Sequence, residues 1–291
     1  MMRRYIDIHT HLGTTVNRDP ACGQSATKFL ARASQSGVIA AVPSAAPGGP
    51  QARGVLDTRD QNSLVAKACR DFPDRFPVGL GVVEVRHLES GVQELARSMD
   101  DDGLVGFMIH PGISGHAMRG ELHPFLEAVE TRRGLVMLHV GDRYIAASEA
   151  LARRFSGVNF VMLHVGSNEI GHGHAVEAFA PLENVWVDIA QHPAPDELSW
   201  GIAAIVRDFP ADRVMFGSDA PYFDYRVIQS AIERAPISEE AKDCVAWRNA
   251  AELIRKYAPG WDPPTASPAT PAEWSDISLW ETLPGQPLRL R

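Results

Sequence analysis

Histidines stand at the ends of apolar runs at three places in this 291-residue chain. The run Tyr5-Ile6-Asp7-Ile8 leads into His9-Thr10-His11. Residues two apart in a strand point to the same side, so both imidazoles can share one metal ion. Two near-identical segments follow, Leu135-Val136-Met137-Leu138-His139-Val140-Gly141 and Phe160-Val161-Met162-Leu163-His164-Val165-Gly166. A single histidine in such a place is more often a packed core residue than a ligand. Two at equivalent points of successive runs, beside His-x-His, are hard to attribute to packing. A fourth run, Val214-Met215-Phe216-Gly217, opens into Ser218-Asp219-Ala220-Pro221-Tyr222. Alone, Asp219 reads better as a turn or N-cap residue than as a ligand. Brought together, these nitrogen and carboxylate donors suit Zn²⁺ or a similar divalent ion.

Something must bring them together. Short apolar segments recur at Tyr5–His9, Val38–Val42, Phe76–Val83, Leu104–Ile109, Leu135–His139, Asn159–His164, Val185–Ile189 and Arg213–Phe216. Between them lie segments of helical period, at Thr27–Ser36, Asn62–Asp71, Leu88–Asp101, Leu122–Arg132, Arg143–Phe155, Glu169–Phe179, Asp196–Asp208 and Tyr225–Arg234. Most of the short runs are continuously apolar rather than alternating, the mark of parallel strands covered on both faces. Eight such units predict an α/β fold of the (β/α)8 TIM barrel kind. An open doubly wound sheet would carry a glycine-rich loop after its first strand, and His9-Thr10-His11-Leu12-Gly13 is not one. In a closed barrel the eighth strand lies beside the first, so Asp219 faces His9 and His11 across the mouth where barrel active sites are built.

A last helix is expected over Glu239–Tyr257, capped by Ser238, and composition then changes. Residues 259–291 hold seven of the 21 prolines and three of the six tryptophans, Trp261, Trp274 and Trp280. Large aromatics are poorly explained in a solvated tail. The expected organisation is therefore a barrel over 1–257 and an extended Pro/Trp-rich C-terminal arm over 258–291, docked on the barrel or on a neighbouring subunit of a homodimer.

Composition bounds the partners. The chain is 45% hydrophobic and 22% charged, with a formal net charge of −8, so a sizeable core is expected and a nucleic-acid partner is not. No stretch reaches the ~18–20 apolar residues of a membrane span. Met1-Met2-Arg3-Arg4 runs directly into the first strand, without a secretory leader. Cys22, Cys69 and Cys244 are too few and too scattered for a disulfide framework or a thiolate zinc site. A cytoplasmic enzyme acting on a small molecule is the expectation.

The ordered set of His-x-His, His139, His164 and Asp219 resembles the amidohydrolase superfamily. The likeness is strongest to the amidohydrolase-related branch that includes aminocarboxymuconate-semialdehyde decarboxylase and related hydrolases. Phe72-Pro73-Asp74-Arg75-Phe76, Gly106-Phe107-Met108-Ile109-His110-Pro111, Phe216-Gly217-Ser218-Asp219-Ala220-Pro221 and Asn249-Ala250-Ala251 resemble further motifs of that branch, and the likeness spans residues 5–257. It implies that His9, His11, His139 and Asp219 are metal ligands and that His164 is a catalytic residue near a metal-bound water. Such an ion lowers the pKa of its water from ~15.7 toward ~7. An unligated imidazole can then move a proton, and Asp219 can accept one. Many members carry a lysine in the fourth strand, and in binuclear enzymes that lysine or a glutamate bridges two ions. Met108 can do neither, so a single ion is expected, Zn²⁺ first and Mn²⁺ as the alternative.

Further candidates have competing structural readings. Arg143 and Arg59 can bind a substrate carboxylate or be solvated. His110 can touch substrate or hold the turn before Pro111, and Tyr222 can line the pocket or pack on the tail. Glu84, Asp188 and His192 fall near strand ends. In Gly171-His172-Gly173-His174 the histidines diverge if helical, so a surface or loop role is expected. The implied activity is hydrolysis of an amide, lactone or ester. Non-oxidative decarboxylation of a small carboxylic acid is the alternative, and a barrel that only binds ligand the third reading.

Overall fold

All eight apolar runs form strands, and every pairing between them is parallel. The computed structural model describes residues 3–13, 23–46, 52–111, 120–165, 172–191 and 195–268. In chain order the strands are β1 (Tyr5–Leu12), β2 (Val38–Ala45), β3 (Gly81–Val82), β4 (Gly106–Ile109), β5 (Leu135–His139), β6 (Asn159–Leu163), β7 (Val185–Asp188) and β8 (Val214–Met215). β1 pairs with β2, and β3 to β8 form a six-stranded sheet in sequential order. Two seams join these sheets into a barrel. Thr10 bridges Ala220, with Ile8 N–H donating to Phe216 O at 3.1 Å and Asp219 N–H to His9 O at 2.8 Å. Ser44 bridges Leu80, whose N–H donates to Pro43 O at 2.9 Å.

Burial on both faces explains why the strands read as unbroken apolar runs. Within β5, Leu135 and Met137 pack with Ile6, Ile8, Met108 and Val161 inside the barrel, while Val136 and Leu138 pack outward beneath the helices. The alternation is the period of two of the pleat. The outer ring consists of α1 (Ala26–Ala33), α2 (Val55–Asp71), α3 (Leu88–Asp100), α4 (His123–Thr131), α5 (Ile145–Arg154), α6 (His172–Phe179), α7 (Pro195–Asp208) and α8 (Tyr225–Arg234). None of the described helices is long and apolar enough to cross a membrane.

Three departures from the sequence expectations have local causes. α2 begins seven residues before Asn62, because the polar stretch Asp57-Thr58-Arg59-Asp60-Gln61 hides its apolar period. Asn62 thus sits mid-helix, where its side chain accepts from Val82 N–H at 2.8 Å and donates to Val82 O at 3.3 Å. β3 is only two residues long, with that amide holding the backbone beside it. The last helix is interrupted: α9 (Glu239–Asp243) passes through a π turn at Cys244–Arg248 into α10 (Asn249–Arg255). The Val245 carbonyl at that turn accepts from Phe216 N–H at 2.8 Å, tying it to the end of β8. Ser238 caps α9 as expected, its Oγ accepting from Ala241 N–H.

α10 floors the barrel, adding Ala250, Leu253 and Ile254 to the interior cluster. Trp261 joins the same cluster and donates from Nε1 to Asp74 O at 3.1 Å, and Arg75 donates to Ala266 O at 2.7 Å. Trp274 and Trp280 lie outside the described residues.

Candidate metal centre

β1 does not run as a plain strand into its histidines. Between Asp7 and Thr10 it gains one residue over β2, since Asp7 faces Ala41 but Thr10 faces Pro43. Such an insertion re-aims side chains. Ile6 and Ile8 point into the interior, and the bulge brings odd-numbered His9 and His11 to that side as well, where Asp188 and Asp219 lie. His11 Nε2 is 3.1 Å from Asp219 Oδ1, and His9 Nε2 is 3.6 Å from the same oxygen. These three donor atoms lie within 4.8 Å of one another, and all three residues are buried. His11 is oriented from behind by Ser44 Oγ, 3.0 Å from Nδ1, and His9 by Asp188 Oδ2, 2.7 Å from Nδ1. His9 Nε2, the atom aimed into the group, is buried with no hydrogen-bond partner among the described residues. An orphaned nitrogen among a second imidazole and a carboxylate is what a divalent ion would satisfy, so these residues fit a metal.

His164 and His139 complete the cluster. His164 Nε2 is 3.0 Å from His139 Nδ1, and its ring centroid is 4.9 Å from that of His9. His164 and Asp219 both have left-handed backbones, with φ of 66° and 58°. Non-glycine residues rarely adopt this conformation, and here it is held in place. The N–H of His164 donates to Asp188 Oδ1 at 2.6 Å, and that of Asp219 to His9 O at 2.8 Å. The turn at His164 swings it back to the interior after Leu163 has already pointed there.

The charges sort themselves accordingly. Burial disfavours a charged His9, but the Asp188 and Asp219 carboxylates outweigh it and raise its pKa to about 9. Burial lowers His11, and it lowers His164 further, with His9 and His139 adding to the effect. Asp219 and Asp188 stay below the ordinary carboxylate range despite burial, held by His11 and His9 respectively. Burial pushes Asp7, which accepts from Ser218 Oγ at 2.6 Å, up to about 7. Without an ion, the centre therefore pairs ionised Asp188 and Asp219 with a protonated His9, and His164 stays neutral.

His9, His11, His139, His164 and Asp219 thus converge as the strand order required. Two compact three-donor groups form among the described residues, and His139 belongs to neither; its Nδ1 is engaged by His164. His110 stacks on His139 with ring centroids 3.6 Å apart, which places it beside the cluster. Tyr222 meets His11 edge-on at 5.9 Å and is 39% exposed, at the rim. The two candidate arginines do not converge. Arg59, a candidate for a substrate carboxylate, sits on the outer helix α2 and donates to buried Glu94 at 2.9 Å, because Glu94 needs a counter-charge there. Arg143 is exposed in a 3-10 turn after β5 with its guanidinium over Tyr144. Glu84 is gripped by Arg86 at 2.8 and 2.7 Å. His174 is exposed near Asp142, and His192 lies outside the described residues. Asp7, Ser44 and Ser218 were missed as site residues. A charge inside the buried run Tyr5-Ile6-Asp7-Ile8 was the one signal the sequence offered for them.

The sequence model described as amidohydrolase matches residues 6–256. The chain belongs to the amidohydrolase family. Among curated proteins none matches this amidohydrolase. Several solved structures do. A 5-carboxyvanillate decarboxylase from Sphingomonas paucimobilis is 19% identical at a TM-score of 0.62, covering 87% of this chain and 99% of its own. A dihydroxybenzoic acid decarboxylase from Polaromonas sp. JS666, with bound manganese and the inhibitor 2-nitroresorcinol, is 15% identical at 0.68, covering 87% and 97%. A probable 2-pyrone-4,6-dicarboxylic acid hydrolase from Acinetobacter baumannii, with citric acid bound, is 17% identical at 0.65, covering 86% and 98%. At these identities the likeness establishes that the amidohydrolase shares their fold.

Proposed function

We propose that this amidohydrolase holds one divalent ion between His9, His11 and Asp219, with His139 as a further ligand, and hydrolyses an amide, lactone or ester of a small molecule. The orphaned Nε2 of His9, facing His11 and Asp219, carries the reading. A bound ion would supply Lewis acidity for the scissile carbonyl and a more acidic water. Asp219, kept ionised, accepts a proton at its carboxylate. His164, kept neutral by burial, passes a proton between the reacting centre and the leaving group. Tyr222 and His110 border the space where the substrate would sit. Zn²⁺ suits two or three imidazoles and a carboxylate, and Mn²⁺ is the alternative. Met108, where a bridging lysine would stand in a binuclear relative, supports a single ion.

Decarboxylation of a small carboxylic acid with the same ligands is the second reading, favoured by the two decarboxylases among the three structures described. Of the two arginines that would favour a carboxylic acid by converging on the pocket, Arg59 is committed to Glu94 and Arg143 is exposed over Tyr144. The test begins with elemental analysis, for which one equivalent of divalent metal is expected. The loaded protein is then offered a panel of lactones, esters and amides beside aromatic carboxylic acids, with acid release and carbon dioxide followed separately. Carbon dioxide release from the acids alone would select the second reading, and absence of metal from folded protein would overturn both.

A further inference from the structure

Asp188 ends β7 with its side chain wholly buried, and its two oxygens face different partners. Oδ2 lies 2.7 Å from His9 Nδ1. Oδ1 accepts from the backbone N–H of His164 at 2.6 Å and from that of Ala190 at 3.3 Å. An ionised carboxylate has only acceptor sites, so the proton of that short contact belongs to His9 Nδ1. When His9 is neutral its other nitrogen, Nε2, then carries the lone pair, and this is the orphaned atom turned toward His11 and Asp219. The opposite oxygen fixes the peptide at which the chain turns left-handed to present the His164 ring.

A second residue shows that this approach is built in. A Cβ at Gly217 would stand 2.6 Å from Asp188 Oδ2 and 2.9 Å from His9 Cβ. Only glycine lets the chain just after β8 pass beside the pair so closely.

We propose that Asp188 is a positioning residue with two roles: it sets the His9 tautomer for metal binding, and it locks the backbone that carries His164. One carboxylate thereby keeps the ligand and the proton carrier in fixed relation, the outer-shell support that metal-binding histidines require. This rests on the metal reading above. His9, His164 and Asp188 also form a three-donor group of their own. A second ion bound there through His9 Nδ1 would have to displace the proton on that nitrogen and break the 2.7 Å contact with Asp188.

Asp188→Asn tests the assignment. The amide keeps the shape and can still accept from the His164 and Ala190 N–H groups. Toward His9 it presents N–H, which drives the imidazole proton to Nε2, the ligand atom. Wild type and variant, stripped of metal, are titrated with Zn²⁺ against a chromophoric chelator, and their Co²⁺ spectra are compared. The expected result is one equivalent in wild type, and in a folded variant an affinity lower by roughly 10–100-fold with an altered Co²⁺ spectrum. Unchanged affinity and spectrum overturn the inference while leaving the metal reading intact. Two equivalents in wild type and one in Asp188→Asn make Asp188 a ligand and overturn it too. No binding by wild type overturns the metal reading and the inference with it. If the variant does not fold, neutron diffraction from Zn²⁺-loaded wild type decides: a deuteron on His9 Nδ1 directed at Asp188 supports the proposal, and its absence refutes it.

Discussion

His164 Nε2 stands 3.0 Å from His139 Nδ1, while His164 Nδ1 is buried without a hydrogen-bond partner among the described residues. If His139 uses Nε2 as a ligand atom, its Nδ1 keeps a proton and donates it to His164 Nε2. His164 then carries its own proton on Nδ1, where no group of the described residues receives it. An unsatisfied buried donor costs about 1–3 kcal/mol, and it is tolerated here beside the metal group.

His164→Asn should therefore separate chemistry from metal binding. We expect metal content to stay at one equivalent while turnover of the substrate found in the panel falls by roughly 10²–10⁴-fold. Loss of metal in this variant would make His164 a ligand instead. The pH profile gives an independent reading. His164 takes part in its neutral form, and burial holds its pKa well below 6.5. The acid limb that belongs to it should lie below pH 6.5, and a limb above that value assigned to His164 would contradict its burial.

Removing the ion should abolish turnover without unfolding the barrel. The interior core of Ile6, Met108, Leu135, Met137, Val161 and Met215 is independent of the donor group. Chelation should leave far-ultraviolet circular dichroism unchanged and lower the melting temperature, since a ligand that binds only the native state stabilises it by mass action. Asp219→Asn should behave like the chelated wild type, because it weakens the group at the oxygen shared by His9 and His11. A variant that binds metal as tightly as wild type would remove Asp219 from the ligand set.

Much of this was readable in advance because period and chemistry pointed the same way. Leu135–His139 repeats as Asn159–His164 since both are parallel strands buried on two faces and ending at the mouth. Asp219 made sense only beside His9, which requires a closed barrel. What the sequence hid depends on contacts between distant residues. The β1 bulge that turns His9 inward follows from pairing with β2, and the early start of α2 is masked by its polar first turns. Arg59 carries no mark that distinguishes a guanidinium bound to Glu94 from one free to meet substrate; that depends on how α2 lies on α3.

Glu94 makes that outer contact measurable. It is 2% exposed and accepts from Arg97 at 2.8 Å and from Arg59 at 2.9 Å. Burial would raise its pKa, but the two arginines hold it below 4.5. A carboxylate depressed in the native state contributes stability that is fully present above its unfolded value and lost as pH falls through the native one. Glu94→Gln should cost about 1–3 kcal/mol at pH 7 by urea unfolding, with the gap to wild type narrowing below pH ~4. A gap that stays constant down to pH 3 would mean that packing, not charge, accounts for the loss.

Trp261 tests the opposite end of the barrel. Its ring closes the floor with Leu253 and Ile254, it is 9% exposed, and its Nε1 donates to Asp74 O. Emptying such a site removes both transfer energy and packing, so Trp261→Ala should cost about 3–5 kcal/mol. Trp261→Phe keeps most of the ring and loses the hydrogen bond, at about 1–2 kcal/mol. In a TIM barrel the floor serves stability and the C-terminal mouth serves chemistry. Both variants should therefore keep one equivalent of metal and, at a temperature where they remain folded, wild-type turnover. If Trp261→Ala loses metal while still folded, floor and mouth are coupled through the interior layers. If it costs less than 1 kcal/mol, the segment after α10 contributes little to the core it touches.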